Sequence, residues 1–396
     1  MKPAQGMVII GAGDCGMRAA LALREEGYAG AITLVSDEAH APYERPPLSK
    51  DLITSPVAEA RTTASPEALA GKHITFIGDT RATVLHPRTR TVALSDGRLL
   101  RYEKLLLATG AEPRRLTGIQ GARAHYLRSF DDLLVLRRKI RPGVSIAIAG
   151  GGFIGLEVAA AACRLGAKVR VIEAQERILK RGVPAEIAKA VARLHRREGV
   201  QIITGRSDMP DADLIIAGIG AIPRTRLAEA AGLRIDNGIA VDAELRSSDP
   251  HIFAAGDCCS FPCQLYDGLR IRLEAWCSAL DQGRRAARNM LGFGDRDEAV
   301  PWFWSDQFDW RLEIAGLIDE GHVAVRRDMG EGGFILFHLG DDGRLVAAGG
   351  FGPGTQVARD MRIAEKMIAR RQRPDPARLA AAEVKLKSLM LEEVIL

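Results

Sequence analysis

Two glycine-rich turns are the first residues whose types and spacing imply chemistry. Gly11-Ala12-Gly13-Asp14-Cys15-Gly16 closes the apolar run Met7-Val8-Ile9-Ile10, and Gly150-Gly151-Gly152-Phe153-Ile154-Gly155 closes Ser145-Ile146-Ala147-Ile148-Ala149. In G-x-G-x-x-G between a strand and a helix, the first glycine makes the tight turn and the second admits a pyrophosphate to the backbone. The third lets helix and strand pack closely. The helix N-terminus then supplies N–H donors and a positive dipole end. Two such fingerprints imply two dinucleotides in one protein, the arrangement suited to hydride relay between a flavin and a nicotinamide. Glu173 ends the strand that follows the second fingerprint, 18 positions beyond Gly155. A carboxylate there accepts hydrogen bonds from ribose hydroxyls and repels a 2′-phosphate, which predicts NADH over NADPH, softened if Arg177 pairs with the phosphate. After the first fingerprint the matching strand leads into Ser36-Asp37-Glu38, so the ribose acid is Asp37 or Glu38.

These residues need two β-turn-α-β units to hold them, with strands expected over 31–35 and 169–172 and helices ahead of each. Two further apolar strands end in small-residue turns: Leu105-Leu106-Leu107 in Ala108-Thr109-Gly110, and Ile252-Phe253-Ala254-Ala255 in Gly256-Asp257. The Asp257 carboxylate is placed to accept a polyol hydroxyl. Past Ala299 the texture becomes aromatic, with Trp302, Trp304 and Trp310 close together. Short strands are expected at 312–317, 322–326, 333–338 and 345–350, then a helix over 355–371, a break at Arg373-Pro374-Asp375-Pro376, and a helical pattern over 377–396. The fold class is α/β, with two Rossmann-like nucleotide-binding domains and a C-terminal α+β domain.

A chain of 396 residues is long enough for two or three domains, and 47% hydrophobic residues can repay the entropy of ordering. No apolar run reaches the ~18–20 residues that span a bilayer, and the first residues are too polar for a signal peptide, so the cytoplasm is the expected compartment. Lys and Arg total 55 against 50 Asp and Glu, a net +5 too diffuse for a nucleic-acid protein. Six cysteines make no disulfide framework, and Cys259 and Cys263 have no metal-ligand spacing; no metal is expected.

Pro42-Tyr43-Glu44-Arg45-Pro46-Pro47-Leu48-Ser49-Lys50, both fingerprints, Ala108-Thr109-Gly110, Gly256-Asp257 and Trp304-Ser305-Asp306-Gln307 together resemble the FAD-dependent ferredoxin reductases of bacterial Rieske oxygenase and cytochrome P450 systems. The resemblance implies an FAD-binding domain in two pieces, 1–113 and 235–299, an NAD-binding domain over 114–234, and a C-terminal domain over 300–396. It implies that NADH reduces FAD and that single electrons then pass to a [2Fe–2S] ferredoxin. Neither nucleic acid nor membrane is an expected partner, and a monomer or weak dimer is the expected state.

By the same resemblance Lys50 is the cation beside the flavin, where positive charge stabilises the reduced, anionic ring, and Glu157 is the acid that pairs with it and yields to nicotinamide. The FAD set is Gly11, Gly13, Gly16, Asp37, Glu38, Arg45, Lys50, Ala82, Val84, Ala108, Thr109, Gly110, Asp257, Trp276 and Trp304. Arg45 is the guanidinium suited to phosphate or flavin, and Trp276 and Trp304 are the aromatics expected against the ring. The NAD set is Gly150, Gly152, Phe153, Ile154, Gly155, Glu157, Glu173 and Gly220. The chain departs from the pattern at Arg224, where the family has Asn after the proline, at Ala275-Trp276-Cys277-Ser278, and at 205–211, too short for the family's β-hairpin. Disulfide reductases of this fold carry a cysteine pair after the second strand; this chain has none there. Basic pairs stand at Arg196-Arg197, Arg326-Arg327 and Arg370-Arg371, with Arg373 close by; at least one is expected to steer an acidic ferredoxin, and charge reversal at Arg326-Arg327 is the test. Rival readings are a flavin reductase with rubredoxin or another acceptor, and a redox-modulated binding protein of the apoptosis-inducing-factor type.

Overall fold

The run ahead of Gly11 becomes the strand Gly6–Ile10, buried along its whole length, as a strand covered on both faces requires. In the computed structural model, which describes residues 6–117, 123–296 and 298–390, it pairs in parallel with Ile32–Val35 on one side and Leu99–Leu107 on the other. Ile74–Ile77 extends the sheet beyond Ile32–Val35, and Ile252–Ala254 joins Leu99–Leu107, both in parallel. Thr91–Leu94 and Ala82–His86 fold back antiparallel. The helix Asp14–Glu25 follows the first glycine turn and packs along Trp276–Met290. These elements form one compact unit, residues up to 46 with 60–112 and 221–299.

The other unit takes in 47–59, 113–220 and the chain from 300 onward. Its first sheet is parallel, in the order Gln201–Thr204, Lys168–Glu173, Ser145–Ala149, Leu214–Ala217, Ala124–His125. Among the described residues, 205–213 hold no hairpin; the short connection carries an ion pair of Arg206 with Asp208 at 2.5 Å. Its second sheet is antiparallel, in the order Trp302–Gln307, Trp310–Gly316, Leu345–Pro353, Gly333–Leu339, Val323–Gly330. The middle strand is buried on both faces, and glycine makes this possible. A Cβ at Gly349 would stand 2.8 Å from Ile187 Cδ1, and one at Gly350 2.9 Å from Met361 Cγ. Successive strand residues face opposite ways, so the helices Ala185–Arg197 and Ala358–Ala369 press on the two faces.

Three sequence expectations change. The aromatic stretch at 302–307 is itself a strand, turned back through Phe308 in a left-handed conformation (φ 54°). The tail is not one helix: Pro376–Ala380 and Leu386–Leu389 are short and separate, and the rest of the expected helix, 391–396, lies outside the described residues. The third explains the second. Arg327, expected on a docking surface, is 3% exposed, and its guanidinium donates to the carbonyls of Leu379, Ala381, Ala382 and Val384. The tail is wrapped around this cation and cannot run straight.

Among the described residues no helix is long and apolar enough to cross a membrane.

Candidate nucleotide and redox site

Gly11 turns the chain with φ 106°, a left-handed conformation that costs glycine little. A Cβ on Gly16 would run into the Gly11 carbonyl oxygen, so close packing of helix and strand depends on its absence. Gly13 caps Asp14–Glu25 without any side-chain hydrogen bond, and a Cβ there would meet only the Arg45 guanidinium, at 3.7 and 3.8 Å. Open backbone, a helix N-terminus and a guanidinium are the donors that a pyrophosphate needs, so the residues fit FAD.

The same guanidinium reaches Glu38 at 2.5 Å, and the Tyr43 hydroxyl donates to that carboxylate at 2.5 Å. Burial pushes the Glu38 carboxyl up, but Arg45 and Tyr43 outweigh it and hold the group below the usual carboxylate range. Asp37 is engaged elsewhere, by Arg224 at 3.2 Å. Glu38 therefore shares its partner with the glycine loop, while Asp37 is paired with the arginine that replaces the family's Asn. Backbone bonds and the Thr109 hydroxyl tie Ala108-Thr109-Gly110 in place: Ala108 N–H donates to Ile10, Arg224 N–H to Gly110, and Thr109 Oγ1 to the Arg224 carbonyl at 2.7 Å. The Trp276 indole N–H donates to Asp14 at 2.9 Å, bringing this aromatic to the first residue of the fingerprint helix. Asp257 lies in the short turn Gly256–Cys258 after Ile252–Ala254. Ala82 and Val84 stand on the antiparallel strand Ala82–His86, with the Val84 side chain exposed.

The second loop repeats the first. Gly150 has φ 96°, a Cβ on Gly155 would collide with the Gly150 carbonyl, and Gly152 caps Phe153–Arg164 with no side-chain hydrogen bond. Glu173 reaches back across this loop, accepting from the N–H of Gly151 at 2.7 Å and of Gln175 at 2.8 Å. Arg177 is engaged by its own turn: its guanidinium donates to the carbonyls of Ile178, Leu179, Lys180 and Val183. Phe153 packs edge-on against Phe303, centroids 4.8 Å apart, while Ile154 is exposed. The Gly220 carbonyl accepts from the Arg114 N–H. These residues fit a second dinucleotide.

Lys50 and Glu157 lie together, with a second carboxylate, Asp306, to which the sequence assigned no role. Lys50 Nζ is 2.6 Å from Asp306 and 3.8 Å from Glu157, and stands 5.1 Å from the centre of the Trp304 ring. Glu157 is buried and bonded to the hydroxyls of Ser305, at 2.5 Å, and Ser49. Burial pushes its carboxyl above the usual range despite Lys50 and both hydroxyls. Asp306, Ser49 and Ser305 sit in the two segments that carried the resemblance. Their meeting depends on Trp302–Gln307 being a strand packed against Phe153–Arg164.

The hydrogen-bond chain continues inward. Gln307 donates to Ser305 at 2.8 Å, and its amide oxygen lies 2.7 Å from His195 Nε2. His195 is wholly buried, and burial depresses its pKa to about 4. The unfolded chain, with His near 6.5, thus binds the extra proton first. Stability should fall as pH drops from 6.5 to 4, by about 3 kcal/mol at most, and this group should contribute no slope above 6.5. Urea midpoints of wild type and His195→Gln measure it; equal acid losses in both would rule His195 out.

Among the described residues no His, Cys, Asp or Glu group could hold a metal. Residues 6–283 match the family model described as pyridine nucleotide-disulphide oxidoreductase, and 302–390 the one described as reductase C-terminal. The chain belongs to the pyridine nucleotide-disulphide oxidoreductase family. Within this family it is similar to the anthranilate 1,2-dioxygenase system ferredoxin–NAD(+) reductase component of Burkholderia cepacia, 39% identical over 98% of this chain and 100% of that one. It is also similar to the rubredoxin-NAD(+) reductase of Pseudomonas putida, 39% identical over 79% of this chain and 87% of that one. Among solved structures, the covalent putidaredoxin reductase–putidaredoxin complex superposes with a TM-score of 0.92 at 35% identity, covering 98% of each chain. The enzyme is an oxidoreductase with two Rossmann-like sheets and an antiparallel C-terminal sheet.

Proposed function

We propose that this enzyme takes electrons from NADH through FAD to a [2Fe–2S] ferredoxin serving an oxygenase or a cytochrome P450. The observation that carries it is the likeness to ferredoxin reductases along essentially the whole chain, both glycine loops included. Bound FAD converts a two-electron hydride donor into a source of single electrons. Everything else falls to the chain. The first loop, with Arg45, Glu38, Asp257 and Trp276, holds FAD, and the second, with Glu173, holds NADH. Lys50 supplies the cation for the reduced flavin, and Glu157 gives way to the nicotinamide. The working division is an FAD-binding domain over 1–113 and 235–299, an NAD-binding domain over 114–234 and a C-terminal domain over 300–396, in a cytoplasmic protein.

Acid precipitation of the purified yellow protein should release all its colour as FAD, and NADH-driven cytochrome c reduction should accelerate only when a [2Fe–2S] ferredoxin is added. The likeness to a rubredoxin reductase names the competing acceptor. Acceleration by rubredoxin but by no ferredoxin would replace this reading, and a colourless protein or an FMN-only extract would end it.

A further inference from the structure

Lys50 has two carboxylates within reach and touches the more exposed one. Asp306 lies at 2.6 Å with its side chain 41% exposed, Glu157 at 3.8 Å with 5%. Arg311 stands on the far side of Asp306 at 4.0 Å and is itself 2.7 Å from the buried Glu313. Asp306 is therefore flanked by two cations, both near the Trp304 ring, with Arg311 5.7 Å from its centre. Glu157 has hydroxyls instead. Gln307 donates into Ser305 Oγ, so the Ser305 proton is committed to Glu157 Oε1. The remaining oxygen, Oε2, meets Ser49, and a hydroxyl there serves a carboxylate as donor or a carboxylic acid as acceptor. An ionised carboxylate buried with two hydroxyls and no cation in hydrogen-bond contact is costly.

We propose that Asp306 is the resident counter-ion of Lys50, a positioning residue that parks the ammonium and leaves Glu157 a buried neutral acid. This deepens the reductase reading and rests on it. A charged Glu157 beside the nicotinamide loop would hold the cationic ring of NAD+ after hydride has left it, whereas a neutral acid lets NAD+ go. Lys50, already neutralised by an acid at the edge of the site, need not borrow the charge of Glu157.

Infrared difference spectra of the oxidised holoenzyme in H2O and D2O test the protonation directly, with no turnover involved. A neutral carboxylic acid band, assigned by its loss in Glu157→Gln, should be present in wild type and Asp306→Glu and absent in Asp306→Asn, where Lys50 turns to Glu157 and the acid ionises. In the same Asp306→Asn enzyme, NAD+ release from the reduced protein should slow about tenfold with KM for NADH little changed, and Asp306→Glu should restore it. A wild type lacking the band, or an Asp306→Asn protein that keeps it, overturns the assignment. The expected band pattern in a protein that reduces no ferredoxin would uphold the assignment of Asp306 and reject the acceptor instead.

Discussion

Arg327→Ala should lower the unfolding free energy by about 3 kcal/mol or more and free the C-terminal segment for proteolysis. The guanidinium donates to four carbonyls between Leu379 and Val384 and lies 3.8 Å from Asp360. Hydrogen bonds to a charged donor are worth roughly 1.5–3 kcal/mol each, and truncation leaves acceptors at a buried position without a donor. Arg327→Lys should rescue little, because one ammonium cannot replace a planar fork spread over four carbonyls. Its neighbour is the control. Arg326 is partly exposed, stacks over Phe334 and pairs with Glu186 and Asp328 at the surface, so Arg326→Glu should cost under about 1 kcal/mol. Urea unfolding and limited trypsin digestion, read for cleavage after Arg378 or Lys385, separate the two. An Arg327→Ala protein that melts with wild type would show that the tail is held by something else.

The pair Arg326-Arg327 shows where sequence reading stops. Two adjacent arginines look alike in a charge pattern, but they sit on opposite faces of the strand Val323–Gly330. One therefore meets solvent and the other the tail. Face assignment needs the strand register, and the register comes from the partner strand. The geometry of the two glycine loops was legible because it is local to the backbone: glycine where the chain is left-handed, glycine where helix meets strand. Lys50 and Glu157 were legible only through resemblance, since 107 positions separate them in the chain. Asp306 was in view as part of a recognised segment, yet its use depended on a strand hidden among tryptophans, where alternation gives no clean period. Arg177 failed for a related reason. An arginine four residues beyond a ribose-binding acid is free to meet a phosphate only if the turn around it needs no donor, and this turn takes all it has.

The loss of Arg177 as a phosphate partner sharpens the expected choice between nicotinamide cofactors. Glu173 is fixed by two backbone N–H donors, on Gly151 and Gln175, so it cannot swing aside to admit a 2′-phosphate. Gly151 is also hemmed in, since a Cβ there would stand 2.5 Å from Ile178 Cγ2, which leaves the loop no room to retreat. A like-charge clash in a partly desolvated site costs several kcal/mol, and each ~1.4 kcal/mol is a factor of ten. Wild type should therefore favour NADH over NADPH by about a hundredfold or more in kcat/KM. Glu173→Ala removes both the repulsion and the acceptor for the ribose hydroxyls, and it leaves the two N–H groups to the solvent or the ligand. KM for NADH should rise about tenfold with kcat nearly unchanged, because the ribose lies far from the transferred hydride and its binding is uniform. Activity with NADPH should rise, closing the gap from both sides. Glu173→Gln separates charge from shape: it removes the repulsion while keeping an acceptor oxygen for the loop, so it should relax selectivity with a smaller loss of NADH affinity. Steady-state kinetics with both cofactors on the three proteins decide the matter, and a wild type that uses NADPH as well as NADH would remove Glu173 from the ribose site.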